Sequence, residues 1–207
     1  MCHRVTPFFL KDLEDALSER VRTGRARIAS TRIAPDCYPG RQLPLFAQDG
    51  TGNLVARELL WGFDGQVGET KRLVFNTRLD TALRHLSRGR GMWAHALETG
   101  RCLVPVRRFF ESWTRNPPAR GAEIRFEMET HKVLLLAGIL EDDRVSIVTC
   151  EPNADVASMH SRMPLVLAPG ESSIWLGPDF YQLGDRSAIR LIATPEEKSE
   201  PQPTLFD

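Results

Sequence analysis

The sequence has no net charge, no long hydrophobic run and no paired cysteines. Its 27 lysines and arginines balance 27 acidic residues, so no overall electrostatic field attracts a polyanion, and any phosphate-binding surface must be a local patch. No apolar stretch approaches the roughly 20 residues that cross a bilayer, and the first residues lack the apolar segment of a secretory signal. These absences predict a cytoplasmic protein.

Cysteine and lysine are both scarce, and the few that occur are informative. The four cysteines lie far apart, without the spacing of zinc ribbons or thioredoxin-like redox sites. Scattered thiols of this kind are typical of reduced, intracellular proteins. Only four of the 27 basic residues are lysines. The rest are arginines, whose planar side chains form bidentate contacts with phosphate.

Hydrophobic periodicity predicts one α+β domain, residues 2–192, followed by a polar, proline-rich and therefore disordered tail, residues 193–207. The middle of the chain consists of short runs of branched and aromatic residues, separated by turn segments, which predict antiparallel strands. These runs are 55–63, 72–75, 102–110, 123–129, 133–140, 145–150 and 163–167.

Two helices have predicted start signals. Thr6 as cap and Pro7 at the first helical position predict a helix that ends at Gly24. Asp80 or Thr81 is expected to cap a second helix.

A cysteine stands directly after the initiator methionine. If Met1 is removed, as is usual before a small residue, Cys2 carries an α-amine and a thiol on adjacent carbons. Their reference pKa values are about 7.7–8.0 and about 8.5. Such an aminothiol forms a Schiff base with an aldehyde and then closes a thiazolidine ring through sulfur. Taken alone, a cysteine at this position is better explained by chance.

Three further segments place polar residues beside apolar strands. Asn76 and Arg78 lie at a strand-to-helix turn, Glu111 lies among aromatic residues, and His160 precedes an apolar strand. A carboxyl group in apolar surroundings loses hydration and its pKa rises, as in general acids. Each segment also has an ordinary interpretation: a turn, an exposed edge-strand glutamate, and a capping imidazole.

Together with Cys2, these segments resemble the SOS-response-associated peptidase (SRAP) family, whose members crosslink to abasic sites in DNA. The motifs occur in family order: Cys2 with Arg4, Ala34-Pro35, Trp61-Gly62, Asn76-x-Arg78-x-Asp80-Thr81, Phe110-Glu111 with Trp113, and His160-x-Arg162-Met163-Pro164-Leu165-Val166-Leu167. The resemblance implies a β-rich single domain, with antiparallel and mixed sheets curved into a barrel-like core and helices at its periphery.

The resemblance also implies a reaction and a set of site residues. The reaction is a covalent thiazolidine crosslink between Cys2 and an abasic site in single-stranded DNA, in the SOS and DNA-damage response. The enzyme would process abasic sites largely in single turnover, with autopeptidase and lyase-like activity. The implied catalytic residues are Cys2, Asn76, Glu111 and His160, and the implied DNA-binding residues are Arg4, Arg78 and Arg162.

Partners and cofactors follow from the same resemblance. We expect a monomer associated with the nucleoid, with no cofactor and no membrane partner. A metal site built from Cys2, His3 and His160 has no ligand spacing to support it, so no metal is predicted.

The sequence departs from the family pattern at three places. His3 replaces the usual glycine beside Cys2, and Asp80 replaces a more common glutamate. The stretch 63–68 stands where the family often has a tryptophan-bearing loop that stacks on DNA. Base stacking contributes about 1–3 kcal/mol per base, so the affinity for DNA is expected to differ.

Other interpretations remain open at the level of sequence. An autoprocessing peptidase with an N-terminal cysteine nucleophile would use the same residues, and a non-covalent DNA-binding module would leave Cys2 inert. The tail motif formed by Gln202, Leu205 and Phe206 resembles peptides that bind bacterial sliding clamps, which makes the clamp a candidate partner.

Overall fold

The computed structural model describes residues 2–67, 70–118, 121–129 and 131–196. The strands are β1 (Arg4–Pro7), β2 (Gln42–Gln48), β3 (Leu54–Trp61), β4 (Phe63–Val67), β5 (Thr70–Val74), β6 (Asn76–Arg78), β7 (Arg101–Ser112), β8 (Glu123–Met128), β9 (Leu134–Glu141), β10 (Arg144–Cys150), β11 (Met163–Pro164), β12 (Val166–Leu167) and β13 (Leu191–Glu196). The helices are α1 (Leu10–Thr23), α2 (Leu79–Ser87), α3 (Ala94–Thr99), α4 (Ala154–Ala157) and α5 (Glu171–Leu176), with a short 3₁₀ helix at Phe180–Gly184.

Five strands close into a barrel. The ring runs β9, β10, β3, β2, β7 and back to β9. All of its pairings are antiparallel except that of β10 with β3, which is parallel. The remaining strands of this sheet extend from the ring, and β4 pairs with β5 in a separate hairpin. The predicted fold class, a β-rich α+β domain with mixed sheets around a barrel-like core, is confirmed.

Three strands of the barrel, β7, β9 and β10, approach closely at Gly138. Gly138 pairs with Cys102 on one side and with Ile147 on the other. A Cβ atom added at Gly138 would lie 2.8 Å from the sulfur of Cys102 and 3.2 Å from a methyl group of Val104. Because the first distance is too short for carbon and the second is tight, any larger residue would force these side chains to shift.

Two tryptophans anchor the core. Trp61 and Trp175 are fully buried, and each indole N–H donates to a backbone carbonyl, that of Phe75 and that of Cys102, at 2.9 Å. Buried indole rings supply large apolar surfaces, and these hydrogen bonds satisfy their one polar group.

Both predicted helix starts are wrong. Thr6 and Pro7 belong to β1, and α1 begins after Phe9, whose backbone N–H donates to the Asp12 carboxylate at 3.2 Å. The second helix begins directly after Arg78, whose side chain forms no cap hydrogen bond, and Asp80 and Thr81 lie inside the helix. The carboxylate of Asp80 pairs with arginine side chains and is therefore not available as a cap.

The predicted strand 55–63 is interrupted at Gly62. This residue has φ +128°, and a Cβ atom there would lie 2.5 Å from the Leu73 side chain. The kink separates β3 from β4, so Phe63 starts the hairpin. The ring of Phe63 packs edge-on against Trp93 with 5.2 Å between centroids, which buries it.

The last described strand extends past the predicted domain boundary at residue 192. β13 runs to Glu196 and pairs with β8 along its whole length. Residues 197–207 lie outside the described residues, and with them lies the predicted clamp motif of Gln202, Leu205 and Phe206. None of the helices in the described residues has the length and apolarity to span a bilayer.

Candidate active site

Strand pairing brings Cys2 to Glu111. β1 runs antiparallel to β7 with Arg4 opposite Phe110. The residues before Arg4 therefore extend along the stretch of β7 that contains Glu111. This contact joins two residues that are more than a hundred positions apart in the chain.

The backbone of Cys2 is held by Asn76. Asn76 lies on β6, which pairs in parallel with β10, and its side-chain NH₂ donates to the Cys2 carbonyl at 2.7 Å. Cys2 is fully buried and Asn76 is nearly so. The hydrogen bond thus fixes the residue that carries the candidate nucleophile.

Glu111 is a fully buried carboxyl group. Burial raises the pKa of Glu111 to about 7, and a hydrogen bond from the backbone N–H of Cys2 acts in the opposite direction. Burial, followed by the charge of Glu111, also raises the pKa of the Cys2 thiol well above its ordinary value. At neutral pH, Glu111 can therefore gain or lose a proton, while the thiol stays protonated.

His160 is the second acid–base group beside Glu111. Its Nδ1 lies 3.7 Å from a carboxylate oxygen of Glu111 and 2.7 Å from the carbonyl of Arg162. The backbone N–H of Arg162 also approaches Nδ1, at 3.2 Å, so the Arg162 backbone contacts this nitrogen with both its carbonyl and its N–H. Burial lowers the pKa of His160, and the Arg162 carbonyl opposes that shift. Because the ordinary pKa of histidine is 6.5 and this one is lowered, the imidazole is mainly neutral at pH 7.

Two of the three candidate DNA-binding arginines share one carboxylate. Arg78 forms a bidentate pair with Asp80 at 2.9 and 3.2 Å. Arg162 is buried and donates through one Nη to the Thr149 carbonyl at 2.9 Å and to Asp80 at 3.4 Å. Its other Nη donates to Glu151. Asp80 therefore orients both guanidinium groups.

The third arginine, Arg4, is enclosed by carboxylates. It donates to Asp36 at 2.7 Å and to Glu123 at 2.9 Å, and its guanidinium lies 3.8 Å above the ring of Phe110. His3, the departure nearest to Cys2, lies 2.6 Å from Glu123. The His3 imidazole thus contacts the first residue of β8.

Motif reasoning missed the carboxylates that pair with the arginines. Asp36, Glu123 and Glu151 belong to no motif, and the first two meet Arg4 across 32 and 119 positions of sequence. No local pattern could have revealed them, because the pairings depend on strand register.

Comparison with known proteins identifies the family. The sequence model of the SOS response associated peptidase (SRAP) family matches residues 1–201. The chain belongs to this family. Cys2, Asn76, Glu111 and His160 thus lie together in an SRAP domain, with Arg162 two residues from the histidine.

Curated relatives of this SRAP chain occur in Bacillus subtilis. The abasic site processing proteins YoqW and YoaM are each 24% identical over 152 residues, or 68% of this chain. The match spans 65% of the length of YoqW and 64% of that of YoaM. The chain therefore matches slightly less than two thirds of each relative.

Solved structures share the SRAP fold. A phage-related protein from Bordetella bronchiseptica superimposes with a TM-score of 0.67 at 20% identity, covering 95% of both chains. A protein from Bacteroides thetaiotaomicron gives a TM-score of 0.58 at 18% identity, covering 86% of this chain and 88% of that one. These likenesses extend over nearly the whole domain.

Proposed function

We propose that this SRAP protein forms a covalent crosslink with abasic sites in single-stranded DNA, through Cys2 after removal of Met1. One arrangement carries the proposal: Asn76 and Glu111 both hydrogen-bond the backbone of Cys2, and His160 lies beside Glu111. The abasic site processing proteins of Bacillus subtilis, to which the chain is similar, point to the same substrate.

The reaction starts from the open, aldehyde form of the abasic sugar. The α-amine of Cys2 attacks C1′ to give a carbinolamine, and loss of water gives an imine. The sulfur then adds to the same carbon while its proton passes to the nitrogen, which closes the thiazolidine ring. One water molecule is released overall, and no oxidant or reductant is needed.

Glu111 is suited to transfer the protons of these steps. A carboxyl group with a pKa of about 7 accepts a proton from the ammonium form of Cys2 and returns it to the departing hydroxyl group. The raised pKa of the thiol keeps sulfur protonated, and this favours the amine as the first nucleophile.

His160 is suited to act on the sugar. A neutral imidazole has one unprotonated ring nitrogen, which can accept the hydroxyl proton when the hemiacetal opens. The same base can remove a proton from C2′ of the imine and expel the 3′-phosphate, which cleaves the strand. This lyase-like reaction competes with ring closure.

The arginines distinguish this proposal from that of a general peptidase. An autoprocessing peptidase would also use Cys2, Glu111 and His160, but would have no ligand for Arg78 and Arg162. Guanidinium groups beside the site fit the phosphates that flank an abasic sugar. Arg4, already bound to Asp36 and Glu123, would contribute mainly by holding β1.

The test is adduct formation with an abasic oligonucleotide. We expect a heat-stable adduct on a denaturing gel when the protein is mixed with a uracil-containing oligonucleotide treated with uracil glycosylase. The Cys2→Ala variant should give no stable adduct. Both this variant and Cys2→Ser keep the α-amine, so both should give more strand cleavage because their imines are not trapped by sulfur. Intact mass should show that Met1 is absent, and a wild-type protein that lacks Met1 yet forms no adduct would refute the proposal.

A further inference from the structure

The carboxylates that pair with the candidate phosphate-binding arginines differ in their number of partners and in their exposure to solvent. Asp80 contacts three arginines, Arg78, Arg84 and Arg162, so its position is fixed from several sides. Asp36 and Glu123, which hold Arg4, are at most 29% exposed. Each of these carboxylates would lose several partners by moving.

Glu151 is different because its side chain is 77% exposed. It follows the last residue of β10 and reaches back to one Nη of Arg162. It also lies near Arg78, whose pKa is raised first by Asp80 and further by Glu151. Among the described residues, Arg162 is the one ion-pair partner of Glu151, and a long, exposed side chain held in this way can turn into water at little cost.

Arg162 itself cannot move as easily. Its guanidinium is buried, and its other Nη is bound to the Thr149 carbonyl and to Asp80. An anionic ligand would therefore reach Arg162 at the Nη atom that is paired with the exposed Glu151. In the free protein, the Glu151 carboxylate already accepts a hydrogen bond from this Nη atom.

We propose that Glu151 stands in for a DNA phosphate in the free protein and must leave Arg162 when DNA binds. Glu151 is thus a residue that lowers the affinity for DNA. The inference rests on DNA being the ligand, as in the proposed function, but not on the crosslinking chemistry. Exchange of one anion for another at the same guanidinium group keeps Arg162 paired throughout.

The affinity for undamaged DNA tests this role. Binding of fluorescein-labelled, undamaged oligothymidine would be followed by fluorescence anisotropy at several salt concentrations. We expect Glu151→Gln to bind about three- to tenfold more tightly than wild type at low salt, because no ion pair has to be broken. The gain should shrink as salt rises, because salt screens the competing carboxylate as well.

The matched control is Glu14→Gln, which removes the same charge from an exposed glutamate whose partner is Lys11. It should bind DNA like wild type. In an Arg162→Gln background, Glu151→Gln should give no gain, because the two residues act as a pair. Thermal melts would verify that each variant is folded.

Several results would overturn the inference. They are an unchanged or weaker affinity of Glu151→Gln, an equal gain in Glu14→Gln, a gain that persists without Arg162, or no binding of DNA by the wild type at low salt. Failure of the crosslinking proposal would instead appear as a missing adduct with abasic DNA. The two failures are therefore distinguishable.

Discussion

At the scale of single residues, the protonation of Glu111 links the site to stability. The folded-state pKa of about 7 lies above the ordinary value of 4.5, so the folded protein binds this proton more tightly than the unfolded chain. The favourable contribution is complete below pH 4.5 and is lost as pH rises through about 7. The buried carboxylate is then a destabilising group on the alkaline side.

Glu111→Gln should therefore flatten the pH dependence of stability. A shift of this size corresponds to on the order of 3 kcal/mol, or roughly 5–10 °C in melting temperature for a chain of this length. We expect the melting temperature of the wild type to fall between about pH 5 and pH 8, and that of the variant to fall by less. The check is a series of thermal melts with Glu14→Gln as control. Parallel curves for wild type and Glu111→Gln would contradict the assignment.

The sequence allowed the site residues to be named but not their partners. Motifs singled out Cys2, Asn76, Glu111 and His160, and the structure brings all four together. The pairing of Arg4 with Glu123 depends on two strands lying on either side of β7, a long-range arrangement that leaves no local signal.

At the scale of elements, β1 shows tertiary contacts overriding a local preference. Thr6 and Pro7 have the sequence of a helix start, yet their segment pairs with β7 over four residues. The hydroxyl of Thr6 donates to Asp36, which also accepts from Arg4. These long-range contacts outweigh the local propensity of Thr6 and Pro7 to start a helix. They also place Cys2 next to Glu111.

Asp36→Ala should therefore loosen β1. The substitution removes the acceptor of the Thr6 hydroxyl and of the Arg4 Nε–H, while Arg4 keeps Glu123. This costs about 1–3 kcal/mol and should lower the melting temperature by about 3–8 °C. Asp15→Ala, which removes an exposed partner of Lys11 on α1, is the control and should change it little. Equal melting temperatures for Asp36→Ala and wild type would show that this network does not hold β1.

At the scale of the whole molecule, strand patterns predicted the class of fold but not its closure. Turn signals mark where strands end, and they allowed an α+β domain with antiparallel strands to be predicted. The parallel pairing of β10 with β3, which closes the ring, joins distant segments. Residue patterns do not reveal which of the strands meet in this way.

Gly138→Ala tests how tightly the ring is packed. The added methyl group would meet Cys102 and Val104, and overpacking of this kind costs about 1–3 kcal/mol. We expect a lower denaturation midpoint in urea. In a Cys102→Ala background the loss should be smaller, because the sulfur is gone.

Gly50→Ala is the matched control, since a Cβ atom there has nothing within 4 Å. It should leave the midpoint close to that of wild type. A Gly138→Ala midpoint equal to wild type, or an equal loss with and without the Cys102 sulfur, would contradict the packing argument.

The burial of Cys2 also governs how the protein must be produced. The proposed reaction starts with the α-amine of Cys2, and a purification tag fused ahead of Cys2 would convert that amine into an amide. Such a fusion can fold normally and still be inert.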